Sequence, residues 1–182
     1  MLRICIGGLS CSGKTTLGEF LAKELNITHV TKRTLDTYKK LEDDFKASGD
    51  SQLKMLQAAD KRYADAFDKE VVEIANSTDC VVTTWLGAWM IKDPAIRVWL
   101  SAGFDERARR YANNHDMKID DAKDYVKKKD ELTTSSFMDL YKIDIKNHSF
   151  FDMMINTERS SLEEAAALIS LLAMNKDKTR FR

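Results

Sequence analysis

The chain reads as an α/β protein with a five-stranded parallel sheet, and three observations carry that reading. Apolar runs of strand length alternate with longer stretches whose apolar residues recur at helical spacing. The run Cys80-Val81-Val82-Thr83-Thr84 is continuous in β-branched residues, as a central strand buried on both faces requires. A Gly-rich turn joins the first strand directly to the first helix. Strands separated by helices pair in parallel through crossovers, which stack helices on the sheet. At 182 residues this is one domain, or one domain with an inserted lid, long enough to bury a real core.

The first strand is Arg3-Ile4-Cys5-Ile6-Gly7-Gly8, and Leu9-Ser10-Cys11-Ser12-Gly13-Lys14-Thr15-Thr16 follows it into the helix. Gly8 through Thr15 fits G-x-x-x-x-G-K-[ST] with no mismatch, which is the phosphate-binding P-loop pattern. Glycine lets the backbone curl so that successive N–H groups converge on phosphate oxygens. The helix beginning at Lys14 turns its positive dipole end toward the same oxygens. Lys14 is placed to reach the β- and γ-phosphates, and the Thr15 hydroxyl to ligate Mg²⁺. Gly8, Ser10, Cys11, Ser12, Gly13, Lys14, Thr15 and Thr16 are therefore the expected ATP-binding residues, with Lys14 catalytic and Thr15 the metal ligand.

Leu17, Phe20, Leu21 and Leu25 set a helix from about Lys14 to Leu25, and Ile27 to Thr31 is a short strand. A polar segment over 33–48 keeps Leu35, Tyr38, Leu41 and Phe45 on one face. Gly49-Asp50-Ser51 breaks it, with Ser51 as an N-cap for a helix reaching about Asn76. After the third strand, Trp85 to Asp93 reads as a loop or short turn, and Ile96 to Ser101 as the fourth strand. A helix starts at Asp105 and is interrupted at Asn113-Asn114-His115-Asp116. The next helix, about Asp120 to Thr134, has a thin apolar face, as a mobile lid does. Phe151 to Asn156 is the fifth strand, and Ser161 with Glu164 forms a capping box on the closing helix.

With 29 basic and 29 acidic residues, zero net charge makes no electrostatic case for nucleic acid or an anionic membrane. No apolar run approaches membrane length and the first residues already form a strand, so a cytoplasmic protein, expected to be a monomer, is indicated. Cys5, Cys11 and Cys80 form no zinc or disulfide pattern. Cys5 and Cys80 read as buried apolar residues, whereas Cys11, at a helix N-terminus, is expected to have a lowered pKa.

Further stretches join the P-loop in a pattern: Asp60-Lys61-Arg62, Trp85-Leu86-Gly87-Ala88-Trp89, Ile96-Arg97-Val98-Trp99-Leu100, Asp105-Glu106-Arg107-Ala108-Arg109-Arg110, Tyr141-Lys142-Ile143-Asp144 and Phe151-Asp152-Met153-Met154-Ile155-Asn156-Thr157. In this order, over almost the whole chain, they resemble the archaeal-type cytidylate kinases, P-loop nucleoside-monophosphate kinases. The resemblance implies helices on both faces of the sheet, an acceptor-binding helical region over about 33–76 and an Arg-bearing lid over about 107–141. It also implies transfer of the ATP γ-phosphoryl group to CMP or dCMP with Mg²⁺. Arg107 and Arg110 match the basic face at the start of the lid, as catalytic residues, and Asn156 and Thr157 the turn near the adenine. Arg62 falls where the family's acceptor site lies and is the candidate grip on the acceptor phosphate.

The chain also departs from the family. Thr34-Leu35-Asp36-Thr37 stands where relatives place an acid followed by Arg, and Thr83 and Trp85 where they place Glu and Arg. Asn114, Lys129 and Ser136 replace lid arginines, and Leu9-Ser10-Cys11 replaces Pro-Pro-Gly. Trp85 is thus a candidate to stack on a substrate base, or simply to pack. Asp36, just after the second strand, is a candidate to orient or deprotonate an acceptor, or else a solvated helix-start residue. The leading reading is an ATP-dependent nucleoside-monophosphate kinase. The alternatives are a kinase for a hydroxyl on a small molecule or an RNA, using Asp36, and a non-catalytic ATP-binding module whose lid reports to a partner.

Overall fold

A computed structural model describes residues 1–40, 43, 61–92 and 95–179, with the backbone alone for 61–64 and 176–179. In chain order the elements are β1 (Arg3–Gly8), α1 (Lys14–Leu25), β2 (Thr28–Val30), a 3₁₀ turn (Lys32–Thr34), helical residues 36–40, α2 (Lys61–Ser77), β3 (Cys80–Val82), α3 (Gly87–Met90), β4 (Ile96–Ser101), α4 (Phe104–His115), α5 (Ile119–Tyr141), β5 (Met153–Asn156) and α6 (Leu162–Thr179). The strands form one parallel sheet in the order β2-β3-β1-β4-β5. β1 is central, its Ile4 flanked by Val81 and Ile96, so its carboxyl end delivers the P-loop to the middle of one sheet edge.

Side chains alternate across the pleat, and each face buries its own core. Ile4, Ile6, Val81 and Val98 pack against Leu17 and Leu21 of α1 and Ile169 of α6. Cys5, Val30 and Val82 pack on the other face against Val71 and Ala75 of α2 and Ala88 and Ile91 around α3. Helices therefore cover both faces, and the core requires it. Cys5 and Cys80 are fully buried, and burial pushes their thiols up to about 12 and about 11.

α1 lies close to β3 at Gly18. A Cβ there would run into Thr83 Cγ2 and come to 2.6 Å from His29 Nε2, a nitrogen that itself contacts Thr83 Oγ1 at 3.0 Å. Alanine gains ~1 kcal/mol of helix propensity, but overpacking against a stiff β-branched neighbour costs ~1–3 kcal/mol. Gly18→Ala is therefore expected to lower the urea midpoint of unfolding.

Most boundaries follow the sequence pattern, and the exceptions have tertiary causes. The stretch expected as a loop or short turn after the third strand contains the four-residue helix α3, held by Arg97, which donates from Nε to Ala88 O (2.8 Å) and from Nη2 to Ile91 O (2.7 Å). The lid helix runs on to Tyr141, seven residues past Thr134. β5 begins at Met153 because Phe151 packs on Trp89 and Trp99, while the Asp152 carboxylate accepts from Arg97 N. The capping box is present: Glu164 N donates to Ser161 Oγ, and Ser161 N to Glu164 Oε2. The Gly49–Ser51 break, Leu41, Phe45 and Asp60 lie outside the described residues.

Candidate active site

The loop between β1 and α1 is shaped by two close approaches. Gly8 (φ 150°) has no room for a side chain: a Cβ would sit 2.5 Å from Ser12 Oγ and 2.7 Å from the Leu100 carbonyl. Gly13 (φ 96°) is left-handed and starts α1 with no side chain capping the helix amides. The Ser10 and Ser12 hydroxyls are buried without hydrogen-bond partners among the described residues, while Thr15 and Thr16 are exposed in the first turn. Uncapped amides, unpartnered hydroxyls and a backbone cradle that a Cβ would fill are the features an anion completes. The site fits a triphosphate.

Lys14 is folded back into the loop. Its Nζ donates to Gly8 O (2.7 Å) and Leu9 O (2.8 Å) and lies 4.8 Å from the centre of the Trp85 ring. Burial, chiefly, pulls its ammonium down to about 7; Cys11 and Asp130 pull it up and the Lys129 and Arg107 charges push it down by smaller amounts. Trp85 also meets Phe137 of α5 edge-on at 6.0 Å, so this candidate substrate residue sits between the loop lysine and the lid. Cys11 overturns the expectation made of it. It adopts a left-handed conformation (φ 60°), and burial raises its pKa, outweighing the nearby Lys129, Lys14 and Arg107 charges.

Both lid arginines reach the loop. Arg107, almost fully buried, donates to Ala102 O (3.2 Å) and Ser10 O (3.2 Å) and pairs with Asp130 at 2.7 Å. Arg110 donates to Cys11 O (3.3 Å), Thr157 Oγ1 (3.0 Å) and Thr157 O (2.8 Å), with Glu106 at 2.7 Å from its Nε. Hydrogen bonds from Arg109 and Arg110 hold the Glu106 carboxyl down to about 2. Thr157 Oγ1 lies 2.9 Å from Ser12 O, closing the bridge between the turn after β5 and the loop. Asn156 is used locally, its Oδ1 accepting from Glu158 N at 2.9 Å.

The structure does not bring every expected residue here. Asp36 is exposed, starts the helical stretch 36–40 and pairs with Lys39 at 2.9 Å, so the solvated helix-start reading fits it. The carboxylate that acts structurally in that region is Glu70. It accepts from Asp36 N (2.7 Å) and Thr37 N (3.0 Å), and those bonds lower its pKa although burial raises it. The Arg62 side chain lies outside the described residues. Sequence reasoning missed Asp130, one carboxylate among many on a polar helix. Its only signal was adjacency to Lys129, which the family resemblance sets at the position of a lid arginine.

Beside the loop, a cavity of about 650 Å³ opens between the end of β4 and α5, with Leu9, Trp99, Arg107, Asp130 and Met138 among its walls. Among the described residues, no group of three or more His, Cys, Asp or Glu could hold a metal, and no helix is long and apolar enough to cross a membrane.

Residues 3–159 match the sequence profile described as the cytidylate kinase-like family. The chain belongs to that family. A cytidylate kinase of Natronomonas pharaonis is 31% identical over 170 residues, covering 91% of this chain and 86% of that protein. Among solved structures, an uncharacterized protein from Eubacterium ventriosum superposes with a TM-score of 0.73 at 17% identity, covering 95% of this chain and 98% of its own. A shikimate kinase from Bacteroides thetaiotaomicron gives 0.59 at 16% identity, with 94% and 97% covered. At these identities the two structures speak for the fold, a P-loop kinase fold. The named relatives it matches are kinases, and the loop of this cytidylate kinase-like chain carries an intact Lys14 and Thr15.

Proposed function

We propose that this protein transfers the γ-phosphoryl group of ATP to CMP or dCMP. The observation that carries the reading is the intact donor loop, with Lys14 and Thr15 at an uncapped helix start, in a chain that matches the cytidylate kinase-like family over most of its length. ATP is the phosphoryl donor, and Mg²⁺, which the Thr15 hydroxyl would help to hold, would supply neutralising charge. The loop amides and Lys14 stabilise the charge that develops on transfer, and Thr15 supplies a hydroxyl ligand for the metal. Arg107 and Arg110 bring positive charge from the lid side, and Asn156 and Thr157 border the adenine. Trp85 lines the acceptor side of Lys14, with Arg62 as the grip on the acceptor phosphate.

The hydroxyl-acceptor alternative relied on Asp36, and an exposed carboxylate paired with Lys39 is poorly placed for a base. An intact Lys14 and Thr15 speak against a purely non-catalytic module. A coupled assay with ATP and Mg²⁺ across CMP, dCMP, UMP, AMP and GMP tests the reading. Turnover is expected with CMP and dCMP above the others. No turnover beyond a Lys14→Met control on any monophosphate would sink it.

A further inference from the structure

Lys14, Arg107 and Arg110, three cations beside the phosphate loop, have protein partners, and one of those partners comes from the lid. Lys14 is turned onto the loop carbonyls and Trp85, and Arg110 onto Glu106, Cys11 and Thr157. Arg107 is held by Asp130, which α5 carries across the loop. Both members of this pair are largely withdrawn from solvent, with side chains 5% and 17% exposed. Asp130 is also the carboxylate whose charge reaches Lys14, and the Ser10 amide of the loop supports it. Its Oδ1 is buried with no hydrogen-bond partner among the described residues.

A guanidinium, a loop amide and the loop lysine are what a phosphoryl oxygen seeks. In this structure a carboxylate holds the guanidinium and lends its charge to the surroundings of the loop lysine. We propose that Asp130 is a resident counter-anion of the phosphate loop, which a triphosphate must displace, together with its stretch of α5, before it can seat. The proposal rests on the reading that this loop binds a nucleoside triphosphate. Two anions cannot share one cluster of cations at full occupancy, because their repulsion is strong where solvent is excluded. The lid is built to give way, since α5 buries only Ala122, Val126 and Thr133. The exposed Lys123–Asp105 pair (2.8 Å) ties the start of α5 to the first turn of α4. Because only the fraction of protein with Asp130 displaced is competent to bind, the apparent affinity is reduced by that fraction.

Calorimetric titration of ATP into wild type, Asp130→Asn and Lys14→Met tests this. Asn keeps the side chain's size and removes its charge, so ATP binding is expected to tighten by about tenfold as the competent fraction rises. Equal or weaker binding by Asp130→Asn overturns the displacement, whereas no binding by wild type overturns the donor-site reading beneath it. Lys14→Met marks the signal without a working loop. If Asp130→Asn fails to fold, wild-type kinetics decide through the intrinsic tryptophan fluorescence, in which Trp85 beside Lys14 takes part. An observed rate that levels off with ATP supports an opening step, and one that rises linearly throughout rejects it.

Discussion

Lys14→Met is expected to abolish phosphoryl transfer while leaving the fold at least as stable as wild type. The two effects separate because the lysine serves one purpose at a cost to the other. Its ammonium is buried, and burial is the main reason its pKa is pulled down to about 7. Bonds to the Gly8 and Leu9 carbonyls and the face of Trp85 recover only part of the lost hydration. Met fills a similar volume without a charge to desolvate, so the melting temperature should hold or rise. Removing a preorganised cation from developing phosphoryl charge costs ~10²–10³ in rate. A coupled assay on the acceptor that wild type turns over, beside a thermal melt of the same samples, reads both. A variant that melts much earlier than wild type would show that the lysine braces the loop.

Arg107→Met should have the largest effect on stability. It leaves Asp130 largely buried, with its Oδ1 already unpartnered and its cationic partner gone. Breaking such a pair from one side costs ~3–5 kcal/mol, and Asp130's residual exposure puts this case near the lower end. Ser10 O and Ala102 O lose their donor as well. The double variant Arg107→Met with Asp130→Asn should recover much of the loss, because the uncompensated charge is what destabilises. Urea unfolding of the wild type, both single variants and the double variant gives the coupling directly.

Much of the fold was legible because its signals are local. α1 starts at the lysine of the motif and ends at Leu25, and β4 spans the apolar run Ile96–Ser101. The lid helix was read too short for a physical reason. Thr133, Thr134, Ser135 and Ser136 are weak helix formers, yet the two threonine hydroxyls bond back to the carbonyls of Lys129 and Asp130. Phe137 then packs on Trp85, a contact 52 positions away in sequence that periodicity cannot reveal. The site divides in the same way. The loop residues could be named from spacing, and Arg107 and Arg110 from resemblance. The use of Asp130, the solvated position of Asp36 and the role of Glu70 depend on which segments meet, and only the folded chain shows that.

Thr157 also gives the phosphate loop an order of assembly. Its hydroxyl meets the Ser12 carbonyl across 145 residues of chain and the Ser101 carbonyl beside it, while Arg110 joins from α4. The loop is made well before β5, and its bracing waits for the turn that follows that strand. Closures over such long separations form late, since chain entropy opposes them until neighbouring contacts are in place. A chain still lacking β5 therefore lacks the braced loop. Nucleotide that recognises the braced shape stabilises the finished protein and gives little help to partly folded forms on the way to it.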